Sequence, residues 1–73
     1  MIPAIWPQAD GTPVACNEKL RMLAENQAEL RVMLRDVFDD AVLMGVDEIA
    51  MRQILIDEVV ALAGPKRHPA KPA

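Results

Sequence analysis

The sequence is poor in the residues that cross-link small proteins. It contains one cysteine, Cys16, and one histidine, His68, so it can form neither an internal disulfide nor a Cys/His zinc site. A chain of 73 residues buries only about 60% of the surface that it exposes when unfolded, which leaves a monomer marginally stable. Self-association is the remaining source of stability, and we expect a homo-oligomer, a dimer or higher.

Aromatic residues and long uncharged apolar runs are also scarce. The chain has one Phe, one Trp and no Tyr, although apolar residues make up 52% of it. The most apolar stretch, residues 49–63, carries three charged residues and is too short to cross a bilayer. The first residues lack the cationic run of a secretory signal. We therefore expect no membrane partner and a cytoplasmic location.

No combination of residues predicts catalysis. An enzyme needs a nucleophile, acid or base held by a second group, or a metal or cofactor. His68 lies in a proline-rich tail, and Cys16 has no histidine nearby to activate it, so we expect an inert thiol. The carboxylates at residues 36–40 form a cluster, but Arg35 precedes Asp39 by four residues and a solvated helix face explains the group. We expect no enzyme activity, no metal and no cofactor.

Negative charge dominates the middle of the chain. Residues 17–63 contain ten acidic and five basic residues, a net charge of −5, whereas the tail, residues 64–73, contains Lys66, Arg67 and Lys71 and no acid. An acidic body disfavours nonspecific binding to nucleic acid, whose affinity comes mostly from Lys and Arg on phosphates. Two interpretations of the tail stay open: it contacts phosphates, or it keeps the chain in solution.

Apolar residues repeating at spacings of three and four predict a long first helix, about residues 17–44. Either Asn17 caps this helix, or Thr12 and Pro13 begin it about one turn earlier. The single polar member, Gln27, either fixes the register of a coiled coil or lies near an open end. The heptad positions are Leu20, Leu23, Gln27, Leu30, Leu34, Val37, Ala41 and Met44.

A tight turn and a second helix should follow. Gly45 is suited to end the first helix, and Asp47 is suited to cap a second helix over about residues 48–63, which Gly64 and Pro65 would stop. This helix is apolar nearly all the way round, so we expect it to contact both the first helix and another subunit. Phe38 widens the apolar stripe of the first helix and should help to receive it.

The predicted fold is all-α and assembles as a helical oligomer. Residues 1–16 form an irregular, proline-containing arm, residues 17–63 a helical hairpin that oligomerises, and residues 64–73 a flexible basic tail. The predicted oligomer interface comprises Leu20, Leu23, Gln27, Leu30, Leu34, Val37, Phe38, Ala41, Ile49, Ile56 and Val59.

Three segments resemble the GapR-type bacterial nucleoid-associated proteins. They are the acid-Val-Phe-x-acid-Ala run of residues 36–41, the Gly-Val-Asp turn of residues 45–47, and the Met-Arg-Gln-Ile-Leu segment of residues 51–55. The similarity covers about residues 20–55, half of the chain. It implies a helical protein that dimerises, assembles further and encircles duplex DNA through inner Lys and Arg residues.

This chain departs from that family at the basic positions. Arg35 and Arg52 remain, and with Lys66, Arg67 and Lys71 of the tail they are the candidate DNA contacts. Two hypotheses follow: a GapR-like DNA-associated oligomer with weakened DNA contacts, or a protein-protein interaction module or regulator on the same scaffold. Val42, Ile49, Gln53, Ile56 and Glu58 stand where the family has Lys or Arg.

Overall fold

The computed structural model describes residues 5–65 of the chain. Two α-helices, α1 (Asn17–Leu43) and α2 (Glu48–Val60), follow a short arm. Within the described residues the only β-type pairing is an isolated bridge between Pro7 and Pro13. The all-α prediction is confirmed, as are the starts of both helices and the approximate end of the first.

The ends of the helices differ from the predictions by a few residues. Cys16, not Asn17, is the N-cap of α1, and its side chain makes no capping hydrogen bond. The earlier start at Thr12 and Pro13 is wrong, because these residues belong to the arm. α2 ends at Val60 instead of Ala63: the next amides bond to Asp57 and Val59, and the second of these is an i→i−3 bond that tightens and closes the last turn.

The arm is an ordered loop closed by backbone hydrogen bonds. The Val14 amide donates to the Trp6 carbonyl at 2.8 Å, and the Gln8 amide donates to the Thr12 carbonyl at 2.7 Å. At the tip, the Asp10 carboxylate accepts hydrogen bonds from the Thr12 amide at 2.9 Å and the Thr12 hydroxyl at 2.7 Å. Residues 6–14 contain no helix or strand, but hydrogen bonds close them into a loop.

The link between the helices is a Schellman turn followed by a capping aspartate. Gly45 has φ +104°, and its amide donates to the Val42 carbonyl at 3.0 Å while the Val46 amide donates to the Ala41 carbonyl at 2.9 Å. Asp47 then accepts a hydrogen bond from the Ala50 amide at 2.9 Å. Both predicted roles, Gly45 as terminator and Asp47 as cap, are confirmed.

Little of the hairpin is buried. Met51, 8% exposed, is the only buried residue in the part of the chain that the structure describes. Around it, Phe38 and Val42 of α1 and Leu55 of α2 are half-buried, and the Arg52 guanidinium lies 5.1 Å from the centre of the Phe38 ring. The helices thus contact each other near the turn, as expected from the wide apolar stripe of α1.

One face of α1 carries all the half-buried residues of that helix. At 100° per residue they fall within an arc of about 100°. The C-terminal group lies against α2, and the N-terminal group lies beyond the reach of α2, on the half of α1 that follows the arm. Trp6 and Val14 of the arm are half-buried as well. The half-buried residues of α1 are Leu20, Leu23, Gln27, Phe38, Ala41 and Val42.

Candidate interaction groove

An apolar groove opens where α1 and α2 diverge from the turn. Its volume is about 620 Å³. The α1 wall comes from the middle of that helix and the α2 wall from its last two and a half turns. The lining residues are Arg31, Leu34, Arg35, Phe38, Arg52, Leu55, Ile56, Val59 and Val60. Its aliphatic walls favour contact with another apolar surface over a small polar ligand.

The groove is also electropositive, because all its charged residues are arginines. Arg35 forms a solvent-exposed ion pair with Asp39 at 3.7 Å, an arrangement that contributes little to stability. Arg52 is held over Phe38. No ion pair involves Arg31 or Arg52 within residues 5–65. An apolar floor with three guanidinium groups suits a partner that carries both aliphatic and carboxylate side chains.

A second apolar surface lies on the outer side of α1. Leu30 is 53% exposed, Met33 64%, Val37 43% and Met44 82%. These four residues follow one another at spacings of three, four and seven, so they form a stripe rotated away from the groove. We call them the outer stripe. The predicted heptad seam is therefore divided between the groove side and the outer side of α1.

The predicted interface residues occupy several environments. Leu20, Leu23 and Gln27 are half-buried toward the N-terminal end of α1, and Phe38 and Ala41 are half-buried at the contact with α2. The remaining six are exposed: Leu30, Leu34, Val37, Ile49, Ile56 and Val59. Of these six, Leu34, Ile56 and Val59 line the groove, whereas Ile49 does not.

Arg35 and Arg52, predicted as DNA contacts from two distant positions, meet in the groove. Lys66, Arg67 and Lys71 lie outside the described residues. Sequence reasoning missed Arg31, which joins the pair. The signal was present, because Arg31 precedes Arg35 by four residues and shares its helix face.

The thiol of the one cysteine has a lowered pKa. Cys16 is exposed at the start of α1, and the backbone amides of Lys19 and then Glu18 lower the pKa of its thiol below the ordinary value of 9.0. Within residues 5–65, no group of three or more His, Cys, Asp or Glu side chains is placed so that it could hold a metal ion.

Comparison with known proteins gives no relative. No protein-family model, curated protein or solved structure matches this chain. Among the described residues, neither helix combines the length and the apolar content that crossing a membrane requires.

Proposed function

We propose that this chain is a protein-interaction module that assembles with itself through the apolar surfaces of α1 and α2. One observation carries the proposal: the hairpin has a single buried residue and exposes large aliphatic side chains along both helices. Ile49, Val60 and Leu43 are 75%, 76% and 85% exposed. Each such side chain left in water forgoes about 1.5–3 kcal/mol of hydrophobic stabilisation. Assembly recovers part of that free energy.

A second candidate function is association with duplex DNA, as the GapR-type resemblance implies. The observation that favours it is the convergence of Arg31, Arg35 and Arg52 on one groove, which gives an otherwise acidic body a local positive surface. Basic side chains at one site bind phosphates through counterion release, so this affinity depends steeply on salt. The groove's aliphatic walls and the net charge of −3 place this candidate second.

Sedimentation of the full chain with and without duplex DNA separates the two functions. In the absence of DNA we expect a mass of at least twice the 8.1 kDa of one chain. Added DNA should leave the sedimentation profile unchanged at moderate salt, because the acidic body repels phosphates. A monomer at every protein concentration contradicts the first proposal.

The same experiment at low salt tests the second candidate. If the three groove arginines contact phosphates, the logarithm of the binding constant falls with the logarithm of salt concentration with a slope of about −0.9 per contact. Replacing Arg31 and Arg35 with Gln should then remove about two phosphate contacts and make the slope less steep by about 1.8. Binding that depends only on residues 66–73, as a truncation at residue 65 would show, contradicts a role for the groove.

A further inference from the structure

We propose that the groove between α1 and α2 receives α2 of a second copy of this chain, and that the exchange is reciprocal about a two-fold axis. This inference rests on the proposed function and specifies its surface: it says which part of the molecule is the interface and which helix occupies it.

The inner face of α1 is half-buried near both ends and exposed in the middle. Leu20, Leu23 and Gln27 are half-buried on the half of α1 that follows the arm, and Phe38, Ala41 and Val42 are half-buried toward the end that contacts α2. Between them, Arg31, Leu34 and Arg35 continue the same face, within an arc of about 120°, and remain exposed. We call this exposed stretch between two half-buried groups the α1 gap.

α2 likewise carries apolar residues that its own α1 leaves exposed. Its own α1 covers the strip that contains Met51 and Leu55, whereas Ile56 is 52% exposed, Val59 64% and Val60 76%. These three exposed residues belong to the α2 wall of the groove, together with Arg52 and Leu55. A two-fold pair uses the same surface on both copies, so a single contact covers the α2 wall and fills the α1 gap at once.

Charge favours α2 as the occupant. The groove presents three arginines, whereas α2 begins with Glu48 and carries Asp57 and Glu58 in its last turns. Because Arg52 also lies on α2, three carboxylates against one arginine give this helix a net charge of −2, within a body of net charge −5. A negative helix suits a groove lined by arginines better than a basic one does.

The exposed area matches what a permanent dimer requires. The chain exposes 6994 Å², against about 4,500 Å² for a folded monomer of its mass. Even when the twelve residues outside the described range are given the exposure of an unfolded chain, residues 5–65 show an excess of about 1,200 Å². Burying that excess on two copies corresponds to about 2,400 Å² in total, within the range of obligate homodimers.

A matched pair of valine substitutions tests the groove. Val59 lines it and is 64% exposed, and Val32 lies on the polar side of α1 and is 63% exposed. Val59→Lys inserts a charge among three arginines and removes an apolar contact, so the dissociation constant of the dimer should rise at least about tenfold. Val32→Lys should leave it within about twofold. Sedimentation over a dilution series measures both.

A third variant distinguishes this inference from the proposed function. Met33 belongs to the outer stripe, is 64% exposed and lies outside the groove, so Met33→Lys should leave the dimer intact. If Met33→Lys dissociates the protein and Val59→Lys does not, the interface is the outer stripe: the groove inference is overturned while self-assembly stands. A wild-type chain that is monomeric throughout overturns both.

The occupant is identified in the assembled protein by paramagnetic relaxation between copies. A nitroxide is attached to Ala63→Cys in a Cys16→Ser background, at natural isotopic abundance, and these copies are mixed with ¹⁵N-labelled Cys16→Ser chains, which have no thiol to exchange with the label. We expect stronger broadening of the amides of residues 31–38 than of residues 17–23, because α2 of the labelled copy lies in the groove. Equal or reversed broadening in a mixed dimer overturns the assignment of α2.

Discussion

Arg52 and Phe38 connect the two helices at the base of the groove. The guanidinium lies 5.1 Å from the ring centre, a distance at which a cation interacts favourably with the face of an aromatic ring. Arg52 is exposed and Phe38 half-buried, so water screens part of the attraction. The pair therefore positions the helices more than it stabilises them, and it holds one of the three groove arginines in place.

A double-mutant cycle measures this contact. Arg52→Met keeps most of the aliphatic stem and removes the charge, while Phe38→Leu keeps an apolar side chain and removes the ring. We expect a coupling free energy of about 0.5–1 kcal/mol, the value typical of cation–π pairs at exposed sites. Urea denaturation of the four proteins at one fixed concentration gives the value. Strict additivity of the two single substitutions contradicts the interaction.

Residues that act only on the neighbouring backbone could be identified from the sequence. Gly45 and Asp47 were predictable because a left-handed residue and a side-chain cap act within a few residues of their own position. Arg31 was missed, since its significance depends on where α2 lies. The acidity of Cys16 was missed as well, because it follows from the amides of Glu18 and Lys19 at the helix start.

The connecting turn is the element on which the groove's geometry depends. Its two crossed hydrogen bonds, to the carbonyls of Ala41 and Val42, and the cap from Asp47 to Ala50 fix the direction in which α2 leaves α1. Most of the element bounds followed from the sequence for the same local reasons. The closure of the arm into a loop did not, because it depends on an isolated bridge between Pro7 and Pro13, two residues that usually interrupt secondary structure.

Substitution of Gly45 tests the turn. A Cβ at Gly45 would meet no atom within 4 Å, but φ is +104°. Gly45→Ala should therefore lower the free energy of unfolding by about 1–2 kcal/mol through backbone strain alone. Gly64→Ala is the matched control, since its Cβ also meets nothing and its φ is not positive. The control should stay within about 0.5 kcal/mol of wild type. Equal denaturation midpoints for all three proteins contradict the strained turn.

The hairpin taken as a whole leaves much of its apolar surface exposed to water. The two helices meet near the turn, the groove between them stays open, and the outer stripe of α1 is exposed. The sequence predicted the apolar excess from the pattern of Leu, Ile, Val and Met, and it predicted self-association from the lack of any other staple. It did not predict the groove, which depends on how far two helices diverge, a property of tertiary packing.

The proposed assembly would couple folding to association. An isolated helix as short as α2, with 13 residues, is marginal in water, because its stability comes from packing of its apolar face. When the packing surface belongs to a second copy, the native state gains free energy with protein concentration, as any state stabilised by binding does. On dilution the copies then dissociate, and α2 loses its helical structure at the same time.

The most direct test is the far-ultraviolet circular dichroism of the wild-type chain over a wide dilution series, with a thermal melt at each concentration. Because the native state is proposed to be an assembly, we expect the melting midpoint to rise with protein concentration and the helical signal at fixed temperature to fall on dilution. A helical signal and a melting midpoint that are both independent of concentration would show that the monomer is stable alone, and would contradict the account.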